Sequence, residues 1–102
     1  MMSDRFFRML GLSVKSGSVV FGEGAVKDSL KGKTSHMVVL STDASSNTKK
    51  KFQNSCRFYS VSYFEYGDRY TLGSATCKTF AVVLSITNAN LADNLIKILS
   101  EH

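Results

Sequence analysis

The spacing of apolar residues along the chain changes repeatedly between a helical and an extended period. Phe6, Met9 and Leu10 recur at intervals of three and four, which predicts a short amphipathic helix over residues 5–12. Ser3 stands just before this stretch and is its expected N-cap. The first predicted element is therefore a helix with one apolar face.

A short strand and a second helix are predicted next. Residues 18–21 form a brief β-type run that stops at Gly22. Residues 24–31 favour a helix, for which Gly32 is the expected end. Residues 18–31 are therefore predicted to form a strand, a glycine turn and a helix.

The most apolar continuous stretch lies at residues 36–42 and has the composition of a strand covered on both faces. We expect it to be the central strand of a sheet. Residues 43–47 are rich in capping side chains, and the helix after them is predicted to bury Thr48, Phe52 and Cys56 at four-residue spacing.

The second half of the chain repeats this alternation. Residues 58–61 predict a third strand, and residues 68–75 a short helix behind a turn at Gly67. Residues 79–86 are apolar and predict the last strand, after which Asn88 is placed to cap a final helix. The apolar stripe of that helix consists of Leu91, Leu95, Ile98 and Leu99.

Helices that alternate with buried strands indicate an α/β fold. We predict a three-layer α/β/α sandwich with a mixed, mainly buried four-stranded sheet and helices on both of its faces. A chain of 102 residues is the usual size of one domain, and it contains no proline-rich linker or repeat. Residues 1–102 are therefore expected to form a single domain.

Composition supports an intracellular location. Hydrophobic residues make up 43% of the chain, yet it contains no run of about 18 apolar residues that could cross a membrane. Residues 1–5 lack the order of a secretory signal, so we expect a soluble, cytoplasmic protein without a membrane partner. Cys56 and Cys77 are accordingly expected to remain reduced.

The charge distribution points to a polyanionic partner. Thirteen Lys and Arg residues against eight Asp and Glu residues give a formal charge of +5. Residues 15–51 contain seven Lys and only three acidic residues, so most of the excess lies in one half. Lys27 and Lys31 stand four residues apart and are predicted to face water on one side of a helix.

The sequence does not favour an enzyme. Gly22 and Gly24 are not followed by the Gly-Lys-Ser/Thr run of a phosphate-binding loop. His36 and His102 have no predicted partner for a catalytic triad, and the spacing of His and Cys is not that of a zinc site. Helix capping accounts for Asp43. We therefore expect no catalysis, no metal, no cofactor and no small-molecule substrate.

The glycine turn and the lysines after it suggest a binding function. Small residues at positions 22–25 would let a bulky backbone approach, and the free N–H groups of a helix start favour phosphate. Lys27, Lys31 and Lys33 would add attraction to a nucleic-acid backbone. The alternative is that the glycines only form a tight turn and the lysines only a solvated helix face.

The ordered set of these segments resembles the kink-turn-binding ribosomal protein superfamily, which includes the archaeal "seven-Ae" and "thirty-e" large-subunit proteins. The segments that carry the resemblance are Gly22-Glu23-Gly24, residues 37–51, Cys56 and Leu72-Gly73-Ser74-Ala75. Within it, residues 43–51 are most similar to a small bacterial branch called YlxQ. The resemblance implies an α/β/α sandwich without a cofactor that recognises an RNA kink flanked by sheared G·A pairs.

The resemblance also implies where RNA would bind. The family's RNA-facing helix start corresponds to residues 22–25, and its second contact loop to residues 76–79. With the neighbouring lysines, the expected RNA-binding residues are Gly22, Glu23, Gly24, Ala25, Lys27, Lys31, Lys33, Thr76, Cys77, Lys78 and Thr79.

Some positions depart from the family pattern and leave a second hypothesis open. Gly24-Ala25 stands where the family usually has Asn-Glu, Asp28 where it has a lysine, and Cys77 where it has a glycine. A member without the Asn-Glu pair could instead serve as a protein-interaction module that contacts a ribosomal or translation-factor partner. Aromatic residues clustered on the outside would favour this hypothesis, and the candidates are Phe64, Tyr66 and Tyr70.

Overall fold

The computed structural model describes residues 4–101, in which helices and strands alternate along the chain. The expected cap at Ser3 and the residue His102 lie outside the described residues. In chain order the elements are α1 (Asp4–Lys15), β1 (Val19–Phe21), α2 (Glu23–Lys31), β2 (Met37–Leu40), α3 (Ser46–Tyr59), β3 (Ser62–Glu65), α4 (Arg69–Ala75), β4 (Val83–Ile86) and α5 (Ala89–Ser100).

The four strands form one mixed sheet in the order β1-β4-β2-β3. Strand β4 pairs antiparallel with β1 on one side and with β2 on the other, whereas β3 runs parallel to β2. Both central strands are buried at every position. Strand β2 is thus central, as predicted, and shares the centre with β4.

The alternation of side chains along the strands divides the core between two faces of the sheet. Helices α2 and α3 cover the first face, where the buried side chains include Val26, Leu30, Val38, Leu40, Phe52 and Cys56. Helices α1, α4 and α5 cover the second, where they include Phe6, Leu10, Met37, Val39, Leu72 and Leu95. The predicted three-layer α/β/α sandwich is confirmed.

The predicted third strand at residues 58–61 was wrong, because α3 continues to Tyr59. Phe52, Cys56 and Tyr59 follow one another at four- and three-residue spacing and all pack against the same core. This helical burial outweighs the β-propensity of the aromatic residues, and the strand begins only at Ser62. Phe58 falls on the opposite side of the helix and is 80% exposed.

Other element boundaries also differ from the predictions. Residues 79–82 precede β4 as a loop, because the Ala81 N–H donates to the carbonyl of Arg69 in α4 instead of to a strand. Helix α3 is capped by Ser45, whose hydroxyl accepts from the Thr48 N–H. Asp43 does not cap α3 but accepts hydrogen bonds from Arg69; the neighbouring Ser41 hydroxyl and then Arg69 lower the pKa of its carboxyl.

Cys56 and Cys77 are free thiols, one buried and the other exposed. Cys56 lies on the buried face of α3, and burial raises the pKa of its thiol to about 11. Cys77 is exposed in the loop after α4. Within residues 4–101, no helix is long and apolar enough to span a bilayer.

We predict that Gly73→Ala destabilises the fold. A Cβ atom at Gly73 would lie 2.6 Å from the Cα of Phe80 and 3.0 Å from the carbonyl oxygen of Lys78, so the backbone after α4 would have to move. Overpacking of this kind costs about 1–3 kcal/mol in the free energy of unfolding, measurable by urea denaturation.

Gly24→Ala is the matched control, because a Cβ atom there meets nothing within 4 Å. Within a helix the change should raise stability by up to about 1 kcal/mol. Equal effects of the two substitutions would contradict the close packing of α4 against the loop that follows it.

Candidate RNA-binding surface

The turn between β1 and α2 is open to solvent and leaves backbone N–H groups free of a side-chain cap. Gly22 has a φ of 91°, which an L-residue rarely adopts, and its N–H donates to the carbonyl of Val83. No side chain within residues 4–101 caps the start of α2. Residues 22–25 are all exposed, and a Cβ atom at Gly22 or Gly24 would meet nothing within 4 Å. The start of this helix is therefore accessible to a bulky ligand.

The loop after α4 lies directly beside this turn. The ammonium of Lys78 lies 4.8 Å from the ring centroid of Phe21, the last residue of β1. The antiparallel pairing of β1 with β4 places Phe21 opposite Leu84, and so brings the end of β1 next to the residues that precede β4. The structure therefore brings together the two segments that the sequence predicted as contact sites.

A groove of about 370 Å³ runs between the two segments. It is lined by Phe21, Gly22, Glu23, Lys78, Phe80, Ala81, Val82 and Val83. Phe80 is 56% exposed, so the groove combines a cation, an accessible aromatic residue and open backbone. We call residues 22–25 and 77–79 together with this groove the turn–loop surface.

Thr76 does not belong to this surface. Its side chain is buried, and its hydroxyl donates to the carbonyl of Leu72 at 2.8 Å and approaches that of Gly73 at 3.2 Å. The Lys78 N–H donates to the same Gly73 carbonyl. Thr76 therefore stabilises the end of α4 and the loop instead of facing outward, which corrects the expectation that it contacts RNA.

The structure separates the lysines of α2. Lys27 is half-buried and Lys31 is exposed on the helix, whereas Lys33 lies two residues beyond its end. A nine-residue helix is about 13 Å long, so Lys33 is remote from residues 22–25. Lys33, and not Gly32, adopts the left-handed conformation after the helix, with a φ of 60°.

Lys51, Phe80 and the Phe21 ring contribute to the turn–loop surface although none of them was predicted as a site residue. The ammonium of Lys51 on α3 lies 2.8 Å from the carboxylate of Glu23 and partly neutralises that charge. Phe80 belongs to the predicted strand at residues 79–86, whereas the structure places it in a loop at the groove. The run of three lysines at residues 49–51 was the available signal for Lys51.

The positive charge is concentrated on the layer formed by α2 and α3. Residues 20–60 contain seven Lys and Arg residues and three acidic ones. No carboxylate of residues 4–101 lies within 4.0 Å of the charged groups of Lys27, Lys31 or Lys78. These cations are available to a phosphate backbone.

The remaining candidates for chemistry are dispersed. Phe64 and Tyr66 are half-buried against the core, so of the three candidates for an outer aromatic cluster only Tyr70 is exposed. His36 lies exposed before β2. In the part of the chain that the structure describes, no three His, Cys, Asp or Glu side chains are grouped as metal ligands.

Comparison with known protein families gives a match to the model of the Ribosomal protein L7Ae/L30e/S12e/Gadd45 family over residues 4–96. The chain belongs to this family. It is also 36% identical to a protein of Bacillus subtilis (strain 168) named RNA-binding protein YlxQ, over 92% of this chain and 94% of that one. A protein of the same name from Enterococcus faecium is 32% identical over 61% of this chain and 60% of its own length.

Solved structures show the L7Ae-type fold as well. A Bacillus halodurans C protein described as being of unknown function superposes with a TM-score of 0.94 at 28% identity, covering 96% of this chain and 99% of that one. The Giardia lamblia 15.5kD RNA binding protein superposes with a TM-score of 0.79 at 13% identity, covering 99% and 92% of the two chains. The resemblance inferred from the sequence is confirmed.

We predict that Cys77→Gly stabilises this protein. Cys77 has a φ of 60°, a left-handed conformation that costs an L-residue about 1–2 kcal/mol. Glycine adopts it freely but gains entropy in the unfolded chain, so the net increase in the free energy of unfolding should be roughly 0.5–1 kcal/mol. Cys77→Ala removes the thiol but keeps the left-handed strain. If Cys77→Ala stabilises as much as Cys77→Gly in thermal denaturation, the conformational explanation is wrong.

Proposed function

We propose that this chain is a cytoplasmic RNA-binding protein that acts as a single domain and recognises a kinked, structured RNA through the turn–loop surface. The observation that supports this most strongly is that the open helix start at residues 22–25 lies next to Lys78, whose ammonium is placed over the ring of Phe21. Two segments more than 50 residues apart in sequence thereby form one exposed surface.

The chemistry of this surface suits RNA. The uncapped N–H groups at the start of α2 and the helix dipole favour a phosphate group. The rings of Phe21 and Phe80 offer apolar faces at the groove, on which unstacked bases bind well. Lys27, Lys31 and Lys78 supply attraction to the phosphate backbone. Shape and phosphate contacts would thus account for most of the affinity.

The names of the relatives agree with this proposal. The Bacillus subtilis and Enterococcus faecium relatives are both named RNA-binding proteins. The proposal extends to kink-turn specificity. Backbone groups would have to supply it at this position, because Gly24-Ala25 offers no polar side chain to G·A pairs. We propose binding without catalysis, and a ribosomal RNA or a ribosome-associated RNA as the natural partner class.

A second candidate function is a protein-interaction module of the translation machinery. It is favoured by an apolar groove of about 790 Å³ between α1 and the loop after α4. Phe7, Leu12, Val14 and Ala75 contribute to its lining, and Leu12 is 56% exposed. An apolar groove of this size is a common feature of protein-binding surfaces.

The deciding experiment is a gel-shift titration at two salt concentrations. The probes are a kink-turn RNA and the same RNA with its G·A pairs changed to Watson–Crick pairs. We expect tighter binding to the kinked RNA than to its Watson–Crick counterpart, and the binding should weaken steeply as salt rises because phosphate contacts release counterions. Equal binding to both RNAs, or binding to neither, would favour the protein-interaction module.

We predict that Lys27→Glu with Lys31→Glu lowers the affinity for the kinked RNA by about tenfold or more, because two phosphate contacts become repulsive. Arg5→Glu with Lys97→Glu makes the same change in net charge on the opposite layer and should have little effect. Circular dichroism checks the fold of both variants. A comparable loss in the control pair would mean that net charge, and not the face of α2, governs binding.

We further predict that Gly24→Asn with Ala25→Glu increases the selectivity for the kinked RNA over its Watson–Crick counterpart. Both positions are exposed in the first turn of α2, so the new side chains can reach a ligand without disturbing the core. The selectivity ratio from the same titration measures the effect. An unchanged ratio would indicate that this surface does not read G·A pairs.

A further inference from the structure

The opposite end of α2 contains a second surface that the proposed contacts at its start do not use. A depression of about 520 Å³ lies where the ends of α2 and α3 meet. Its lining residues are Leu30, Lys33, Ser35, Phe58, Tyr59, Ser60 and Val61. We call it the Phe58 depression.

Phe58 is displayed at this depression without a core to pack against. Phe58 is 80% exposed, more than Phe80 or Tyr70. The ring of Tyr59 orients it, meeting it edge to face with centroids 4.9 Å apart and planes at 84°. Tyr59 itself packs against the core. An oriented aromatic ring with accessible faces is a platform for stacking.

The charge around this ring is positive. No acidic residue lines the depression, and Lys33 does. Lys31 and Arg57 are exposed and stand close in sequence to the lining residues. Among residues 4–101, no carboxylate lies within 4.0 Å of the charged group of any of these three.

The backbone that presents Lys33 is unusual. Its φ of 60° is a conformation that glycine adopts without cost, yet Gly32 immediately before it is right-handed, with a φ of −79°. The chain thus keeps a lysine at a strained position beside an exposed ring. Strain held outside the core is frequently associated with a functional position.

We infer that Phe58 and Lys33 form a second RNA contact, in which an unpaired nucleotide stacks on the Phe58 ring while Lys33 binds its phosphate. This inference rests on the proposed function, because the nucleotide belongs to the RNA whose kinked part occupies the turn–loop surface. Helix α2 separates the two surfaces by about 13 Å, with the half-buried Lys27 in its middle and the exposed Lys31 at the end near the depression. A strand leaving the kink can therefore follow α2 to the Phe58 depression.

RNA fits this surface better than a protein partner for two reasons. The layer of α2 and α3 carries seven basic and three acidic residues within residues 20–60, a balance suited to a phosphate backbone. An exposed ring beside a cation matches the combination on which single-stranded bases stack. Protein hot spots are more commonly anchors inserted into closed pockets.

The test uses three RNA probes: a blunt kink-turn RNA, the same RNA with an eight-nucleotide uridine extension, and octauridylate alone. The chain contains no tryptophan, so a Phe58→Trp variant reports on this position alone by fluorescence. Tyr70→Trp, at a residue 67% exposed on the opposite layer, is the matched control. We expect the extended RNA to quench Phe58→Trp strongly, the blunt RNA to quench it little, and neither to affect Tyr70→Trp.

Affinity measurements complete the test. The extension should increase the affinity of the unaltered protein by about tenfold, and Phe58→Ala should abolish this gain while leaving the affinity for blunt RNA unchanged. Tyr70→Ala should retain the gain. Lys33→Asn keeps a residue type that tolerates the left-handed conformation, and it should reduce the salt dependence of binding to the extended RNA by about one phosphate contact.

The outcomes separate this inference from the proposed function. If blunt RNA binds tightly but neither the extended RNA nor octauridylate quenches Phe58→Trp, the stacking platform is overturned and the turn–loop surface stands. If octauridylate quenches it while blunt kinked RNA fails to bind, the platform stands without kink recognition. Quenching by hexaglutamate peptide but by no RNA would assign the ring to a protein interface and overturn the inference.

Discussion

The antiparallel pairing of β4 with β1 and β2 is the constraint on which the candidate surface depends. Strand β4 is buried on both faces, so its position is determined by packing against both helical layers. The register that places Phe21 opposite Leu84 then brings the end of β1 beside the loop that enters β4. The open start of α2 and Lys78 are neighbours because of this register.

Helix α2 connects the two proposed contact regions. Its start lies at the turn–loop surface, and its end lies at the Phe58 depression. Its inner face is anchored by Val26 and Leu30, which are buried against the sheet. The buried hydroxyl of Ser29 bonds to that of Ser85 in β4 and ties the helix further to the central strand. A rigid helix between two exposed regions can hold both at a constant separation.

Among residues 4–101, three non-glycine residues with left-handed backbone mark the ends of helical segments, namely Lys33, Ser60 and Cys77. Ser60 ends α3 by donating its N–H to the carbonyl groups of the last turn, which is a structural role. Lys33 and Cys77 have exposed side chains beside the two proposed contact regions. The fold thus accepts backbone strain where the chain leaves a helix and presents a side chain to solvent.

The sequence alone determined the α/β class, the family and the central position of β2, because local periodicity and ordered motifs report these directly. The two segments that meet at the turn–loop surface were expected from the family resemblance, and their role as contact sites stays a prediction. It misplaced the third strand, since the aromatic residues at positions 58 and 59 suit either a strand or the last turn of α3. Only the tertiary structure decided that Thr76 is buried, that Lys33 lies at the far end of α2, and that Phe58 is exposed. Those outcomes depend on which elements pack together, and burial created by packing between distant segments leaves no local pattern in the sequence.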